Sequence, residues 1–188
     1  METVTSVLIG IGLSAACGFR VFVPLLVMSV AAMSGHLTLA SNFQWIATYP
    51  ALIAFAVATG LEIGGYYIPW LDNLLDSIAT PAAIIAGTIV TASVVTGTSP
   101  FLKWALAIIA GGGIAGLIQG TTVVARGASS VGTGGLGNPL LATIEFGGAL
   151  ATSVMALVAP LVAIVLIAII ATIATRRLLR KRLVISNQ

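Results

Sequence analysis

Five long apolar stretches, at about 4–33, 50–68, 81–98, 101–125 and 139–175, occupy most of this 188-residue chain. Roughly 20 helical residues cross a bilayer's hydrocarbon core, so every stretch is long enough to span and about five or six spans fit. No room is left for a separate soluble domain. Only 7% of residues are charged and 59% are hydrophobic, with a mean hydropathy of +1.14, whereas soluble domains carry about 25% charged residues. The expected fold is all-α, a polytopic transmembrane helical bundle in a lipid bilayer.

Five of the eight basic residues (Arg176, Arg177, Arg180, Lys181 and Arg182) form one C-terminal run, without which the net charge falls from +3 to −2. The basic character therefore belongs to a tail, 176–188, and does not point to a nucleic-acid partner. By the positive-inside rule the tail is cytoplasmic. One cysteine and one histidine exclude a disulfide framework and a Cys/His zinc cluster within one chain. A metal site would need carboxylates, and no cofactor is indicated. Leu13-Ser14-Ala15-Ala16-Cys17 approaches a lipoprotein cleavage box, but no basic segment precedes it and the apolar run continues past Cys17. Residues 1–34 read as a retained first span.

The 37-residue stretch 139–175 would be about 55 Å long as one helix, more than the hydrocarbon thickness. It reads as two spans, or as a re-entrant segment plus one span, broken at Gly147-Gly148 or Pro160. Two membrane halves are expected, 1–98 and 99–175. Gly10, Ser14 and Gly18 recur 102 residues later as Gly112, Gly116 and Gly120, and Glu62-Ile63-Gly64-Gly65 is echoed by Glu145-Phe146-Gly147-Gly148. If each half holds three spans, such repeats are inverted in the membrane. Small residues every fourth position also let helices pack closely, within a protomer or across a homo-oligomer interface.

A charged group in hydrocarbon costs at least a few kcal/mol, so it faces an interior, a cavity or a partner. Arg20, Glu62 and Glu145 are the charged candidates at depth. The two glutamates could form a site for a cation or a shared proton, or each could pair with Arg20 or Arg126 as a packing element. Residues 70–78 place Leu71, Leu74, Leu75 and Ile78 on one helical side, with Asp72, Asn73 and Asp76 on another. This predicts a short interfacial helix whose carboxylates either meet a hard cation or face water. Residues 126–139, glycine-rich and ending Asn138-Pro139, predict a re-entrant or connecting loop that lines a path or merely links spans. The Gly-x-Gly-x-x-Gly matches at 111–116 and 132–137 follow no strand and are not nucleotide fingerprints. No nucleophile constellation stands out, which disfavours an enzyme.

Three segments, Gly12-Leu-Ser-Ala-Ala-Cys-Gly-Phe-Arg20-Val-Phe-Val-Pro24, Tyr67-Ile-Pro-Trp-Leu-Asp-Asn-Leu-Leu-Asp76 and Gly134-Gly-Leu-Gly-Asn-Pro139, together resemble the domain-of-unknown-function 4126 family of small bacterial integral membrane proteins. The resemblance spans nearly the whole chain and implies a polytopic inner-membrane protein, without an activity. A fainter likeness is to cation exchangers with a duplicated Glu-x-Gly-Asp-Lys/Arg-Ser/Thr motif, but here only Glu62-x-Gly64 and Glu145-x-Gly147 match. The leading expectation is a transporter or channel for an inorganic ion or small polar solute, with Glu62, Glu145, Arg20, Arg126 and Asn138 at its centre. The alternatives are a non-transporting subunit that binds partner helices, and an enzyme or scramblase acting on lipid headgroups.

Overall fold

A computed structural model describes residues 2–169 and 172, apart from the side chains of residues 2, 69, 70, 72 and 73, and every regular element among them is helical. The helices are α1 (Glu2–Cys17), α2 (Phe22–Met33), α3 (Tyr49–Gly65), α4 (Pro69–Val94), α5 (Pro100–Leu106), α6 (Gly113–Thr133) and α7 (Asn138–Val158). A 3-10 stretch, Ser41–Ala47, precedes α3, and a π-helical turn, Ala107–Gly112, joins α5 to α6. Local chemistry sets several starts. Thr48 and Ser99 accept the amides of Ala51 and Leu102 through their hydroxyls, and Pro50 and Pro100 follow, where a missing N–H costs nothing.

The first apolar stretch is not one span. It breaks at residues 18–21, and its limbs of 16 and 12 residues reach only about 24 and 18 Å, short of the roughly 30 Å core. The limbs fold back as a hairpin, the first lying against α4 and α7 and the second against α3 and α7. A Cβ on Gly10 would touch Thr91 and Val94, and Ser14 Oγ donates to Gly87 O at 2.7 Å, so α1 runs antiparallel to α4. The end of the second limb lies at the same end of α4, where Ser93 Oγ is 3.3 Å from Met28 Sδ and Ala40 N donates to Ser93 O at 2.7 Å. Thr5 and Ser6 from the start of α1 line one cavity with His36 and Thr38 beyond α2. The hairpin's open end is therefore at one face of the bundle and its tip is inside. On sequence alone a re-entrant piece is one alternative for the last stretch; the folded-back pair of short apolar helices lies in the first.

Three helices are long and apolar enough to cross a membrane: Leu74–Val94, Pro100–Thr133 and Asn138–Val158. The pair Ser41–Ala47 and Tyr49–Gly65, bent by 64°, makes a fourth if counted as one span. The described residues thus hold three or four spans plus shorter apolar helices, and the first stretch forms the hairpin and not a single span. The last stretch breaks beside Pro160, at Ala159, while α7 passes unbroken through Gly147-Gly148. A short apolar helix, Pro160–Ile169, follows.

Two further expectations change. Residues 70–78 form no separate interfacial helix but the opening turns of α4, which continues through Pro81; membrane helices tolerate an internal proline when neighbours satisfy the freed backbone. The glycine-rich segment is also mostly helical. α6 runs to Thr133, leaving a four-residue link in which Gly134 (φ 61°) and Gly135 (φ 87°) supply left-handed backbone. Hydropathy fails there because Arg126 and Asn138 are buried and Ser129 and Ser130 half-buried, while Val131 and Leu136 are exposed.

The glycine ladders do not run in opposite directions. Gly111 meets Thr91 and Gly87, and Gly116 meets Ile84, so α6, like α1, is antiparallel to α4. The two ladders are parallel and meet the same stretch of α4, around Gly87 and Thr91, whereas inverted repeats would oppose them.

Candidate polar centre at the hairpin tip

The tip of the hairpin collects the buried charge. Arg20 lies in the break, Glu62 near the end of α3, Asp76 on α4, Arg126 on α6 and Glu145 on α7. Arg20, Arg126, Glu62 and Glu145 are each less than a tenth exposed. Arg126 and Glu145 stand seven residues inside the ends of their helices, about 10 Å of depth. Formal charges are two positive and three negative.

Each helix presents these groups on one face. On α3, Thr59, Glu62 and Tyr66 just beyond it follow at steps of three and four, and all are buried; on α7, Asn138, Ala142, Glu145 and Ala149 do the same. Gly18 brings the tip close to α6, since a Cβ there would stand 2.6 Å from both Ala115 O and Ile118 Cβ. Glycine is required by that approach.

The two glutamates have different partners. Glu62 caps α2 from another helix: Oε1 accepts the Val21 amide at 2.8 Å and Oε2 that of Phe22 at 3.1 Å. Its charge meets the positive end of the helix dipole. Glu145 takes both arginines. Arg126 reaches it through Nε at 3.0 Å and through Nη2, and Arg20 Nη2 lies 3.3 Å from Oε2 while donating to Ala142 O at 3.0 Å. Arg126 Nε is also 3.9 Å from Asp76 Oδ1. Both guanidinium groups sit over the Tyr66 ring, 3.9 and 4.0 Å from its centroid, where the π-face attracts cations.

Arg20, Glu62, Arg126 and Glu145 are therefore brought together, and Asn138 stands below them, its Nδ2 donating to Ser130 Oγ at 3.0 Å. Asp76 joins this cluster through Arg126. The side chains of Asp72 and Asn73, and the basic run 176–188, lie outside the described residues. Of the ladder positions, Gly10, Ser14, Gly112 and Gly116 pack against α4 and Gly18 against α6, whereas Gly120 has nothing within 4 Å of where its Cβ would be. Tyr66, not among the site residues expected from sequence, is 5% exposed; its place four residues after Glu62, on the same helical face, is the available signal. Thr59 and Gln119 were likewise missed. Among the described residues no group of three His, Cys, Asp or Glu side chains could hold a metal ion.

Several apolar helices, a polar centre buried among them and exposed leucines, isoleucines and valines on the outside define a multi-pass helical membrane protein with a folded-back hairpin. The chain belongs to the family described as a domain of unknown function (DUF4126), whose family model matches residues 7–180. No curated protein and no solved structure matches it.

Proposed function

We propose that this protein is a small transporter or channel for an inorganic ion or small polar solute, with the hairpin-tip cluster as its polar centre. The observation that carries this reading is the break at residues 18–21 inside the bundle, with the buried Arg20 in it and a helix end beside it. Non-helical backbone at membrane depth is tolerated where it is buried in protein or lines a cavity, and discontinuous helices in transporters point their ends at the solute.

A static clamp would also use ion pairs like those of Glu145, and a partner-binding subunit needs nothing more. A clamp has no need of a half-helix end, nor of Arg20 donors left without a partner, Nε and Nη1. The basic run 176–188 favours a cytoplasmic C-terminus in the plasma membrane. Association of copies is expected along the outer strip of α6, where Gly113, Gly120 and Gly127 recur every seventh residue with open space around them.

The test is flux in proteoliposomes across a panel of cations, protons and anions, comparing wild type with folded Glu62→Gln/Glu145→Gln. Flux in the wild type and its loss in the variant are expected. Absence of flux from both would overturn the reading and favour the partner-binding subunit.

A further inference from the structure

We infer that the hairpin tip is a site for a small monovalent inorganic anion of the halide or nitrate class, and that the carboxylate of Glu62 occupies it as a tethered stand-in. The inference rests on the polar centre proposed above and names what it binds.

Three groups of donors belong to this part of the chain's fold. The first is the pair of consecutive amides, Val21 and Phe22, at the start of the 12-residue α2, which hold the Glu62 carboxylate at 2.8 and 3.1 Å. A helix N-terminus inside the protein is a ready anion site, because its amides point outward and its dipole is positive there. The second is Arg20, adjacent in the chain and 1% exposed, whose Nε and Nη1 have no hydrogen-bond partner. The third is Thr59, one turn before Glu62 on the same face of α3, 7% exposed and with an unpartnered hydroxyl. Buried polar groups are nearly always satisfied, so the open donors of Arg20, next to the capped helix start, and of Thr59, one turn from the capping residue, call for an acceptor.

The sign of the missing partner follows from the chemistry. Arginine N–H groups donate only, and a threonine hydroxyl can donate. The carboxylates of the cluster are engaged, Glu62 by the amides, Glu145 by both arginines and Asp76 by Arg126. A cation would find no spare carboxylate between Glu62 and Glu145, whereas an anion would complete Arg20 and Thr59. Because Glu62 already fills the amides, an anion enters fully only when that carboxylate is neutral or has swung aside. Neutralising Glu62 therefore strengthens anion binding, the reverse of what a cation site predicts.

The experiment uses the purified full chain in lipid nanodiscs with gluconate as the background anion, titrated with bromide or nitrate and followed by calorimetry and thermal unfolding. Glu62→Gln is expected to bind either anion at least tenfold more tightly than wild type. Adding Thr59→Val, nearly isosteric and away from the ion pairs, is expected to take back several-fold of that gain. Replacing sodium with potassium at constant anion should change nothing. A folded Glu62→Gln that binds anions no better than wild type, or one stabilised by cations instead, overturns the inference. Flux of a cation or neutral solute without anion binding leaves the transport reading intact and removes this one. Anion binding without flux of any solute does the opposite.

Discussion

Glu62 and Val21 are joined across 41 positions of sequence by one hydrogen bond, from the Val21 amide to the carboxylate at 2.8 Å. That bond, with its neighbour to Phe22, ties α3 to the start of α2 and closes a helix end that neither water nor the chain's own residues would otherwise cap. Glu62→Ala leaves two buried amides unmet and is expected to destabilise the protein by about 2–4 kcal/mol. Glu62→Gln, which keeps one acceptor, should cost less than half of that. Thermal unfolding in detergent reads both, and equal Tm values for Glu62→Ala and wild type would remove the capping role.

Glu145 keeps two arginines together over one ring. Glu145→Gln leaves Arg20 and Arg126 buried beside each other without their counter-ion, a loss of about 3–5 kcal/mol. Removing one of the like charges as well should relieve part of it, so Arg126→Gln/Glu145→Gln is expected to be more stable than the sum of the single changes implies. A double-mutant cycle measures this. Additive effects would mean that the ion pair seen between them contributes nothing.

Tyr66 separates shape from charge. Tyr66→Phe retains the ring and should stay within about 1 kcal/mol of wild type, whereas Tyr66→Leu gives up two cation–π contacts and should cost about 1–4 kcal/mol. Similar losses for both variants would shift the weight to the phenolic hydroxyl.

Much of this site was legible because ionisable residues are rare in the chain. Arg20, Glu62, Arg126 and Glu145 stand out in apolar surroundings, and hydrocarbon forces such groups toward each other. The hairpin was less visible, since Gly18-Phe19-Arg20-Val21 is no more polar than many helical turns. Yet the length argument that divides 139–175 applies equally to 4–33, where 30 residues would make a helix of about 45 Å. Pro24, which lies in the first turn of α2 and suits a helix start, was a second sign. The glycine-rich 126–133 misleads for another reason. Its hydroxyls bond locally to the helix backbone, as when exposed Thr133 Oγ1 donates to Ser129 O at 2.8 Å, while Arg126 turns inward to Glu145, so a polar, glycine-rich composition does not end the helix. Direction, too, cannot be read from a ladder of glycines: small residues show that helices approach, not which way each one runs.

Those approaches are unequal, and substitution should sort them. At Gly18 an added methyl would meet the Ala115 carbonyl oxygen at 2.6 Å and at Gly87 the Gly111 oxygen at 2.9 Å, both backbone. Gly18→Ala and Gly87→Ala are expected to cost about 1–3 kcal/mol each through overpacking. Gly60 on α3, exposed and with nothing within 4 Å, should accept alanine with a change of under about 1 kcal/mol, in the stabilising direction. Chemical denaturation of the three variants tests the order, and a Gly60→Ala variant as damaged as Gly18→Ala would remove overpacking as the cause.

The hairpin makes the sharpest claim about topology. If α1 and α2 are one continuous span, residues 5 and 36 lie on opposite sides of the membrane. If they fold back, both lie on the side that also holds residue 97, since Thr5 and His36 line one cavity and Gly97 approaches Thr3. The link at 134–137 lies at the other end, beyond the cluster. The chain's one cysteine, Cys17, is buried, so the native background to a membrane-impermeant maleimide should be low. Thr5→Cys, His36→Cys and Gly97→Cys are expected to be modified from one face of sealed vesicles, and Leu136→Cys from the other. Modification of positions 5 and 36 from opposite faces would restore a single long first span and dissolve the tip at which Arg20 and Glu62 meet.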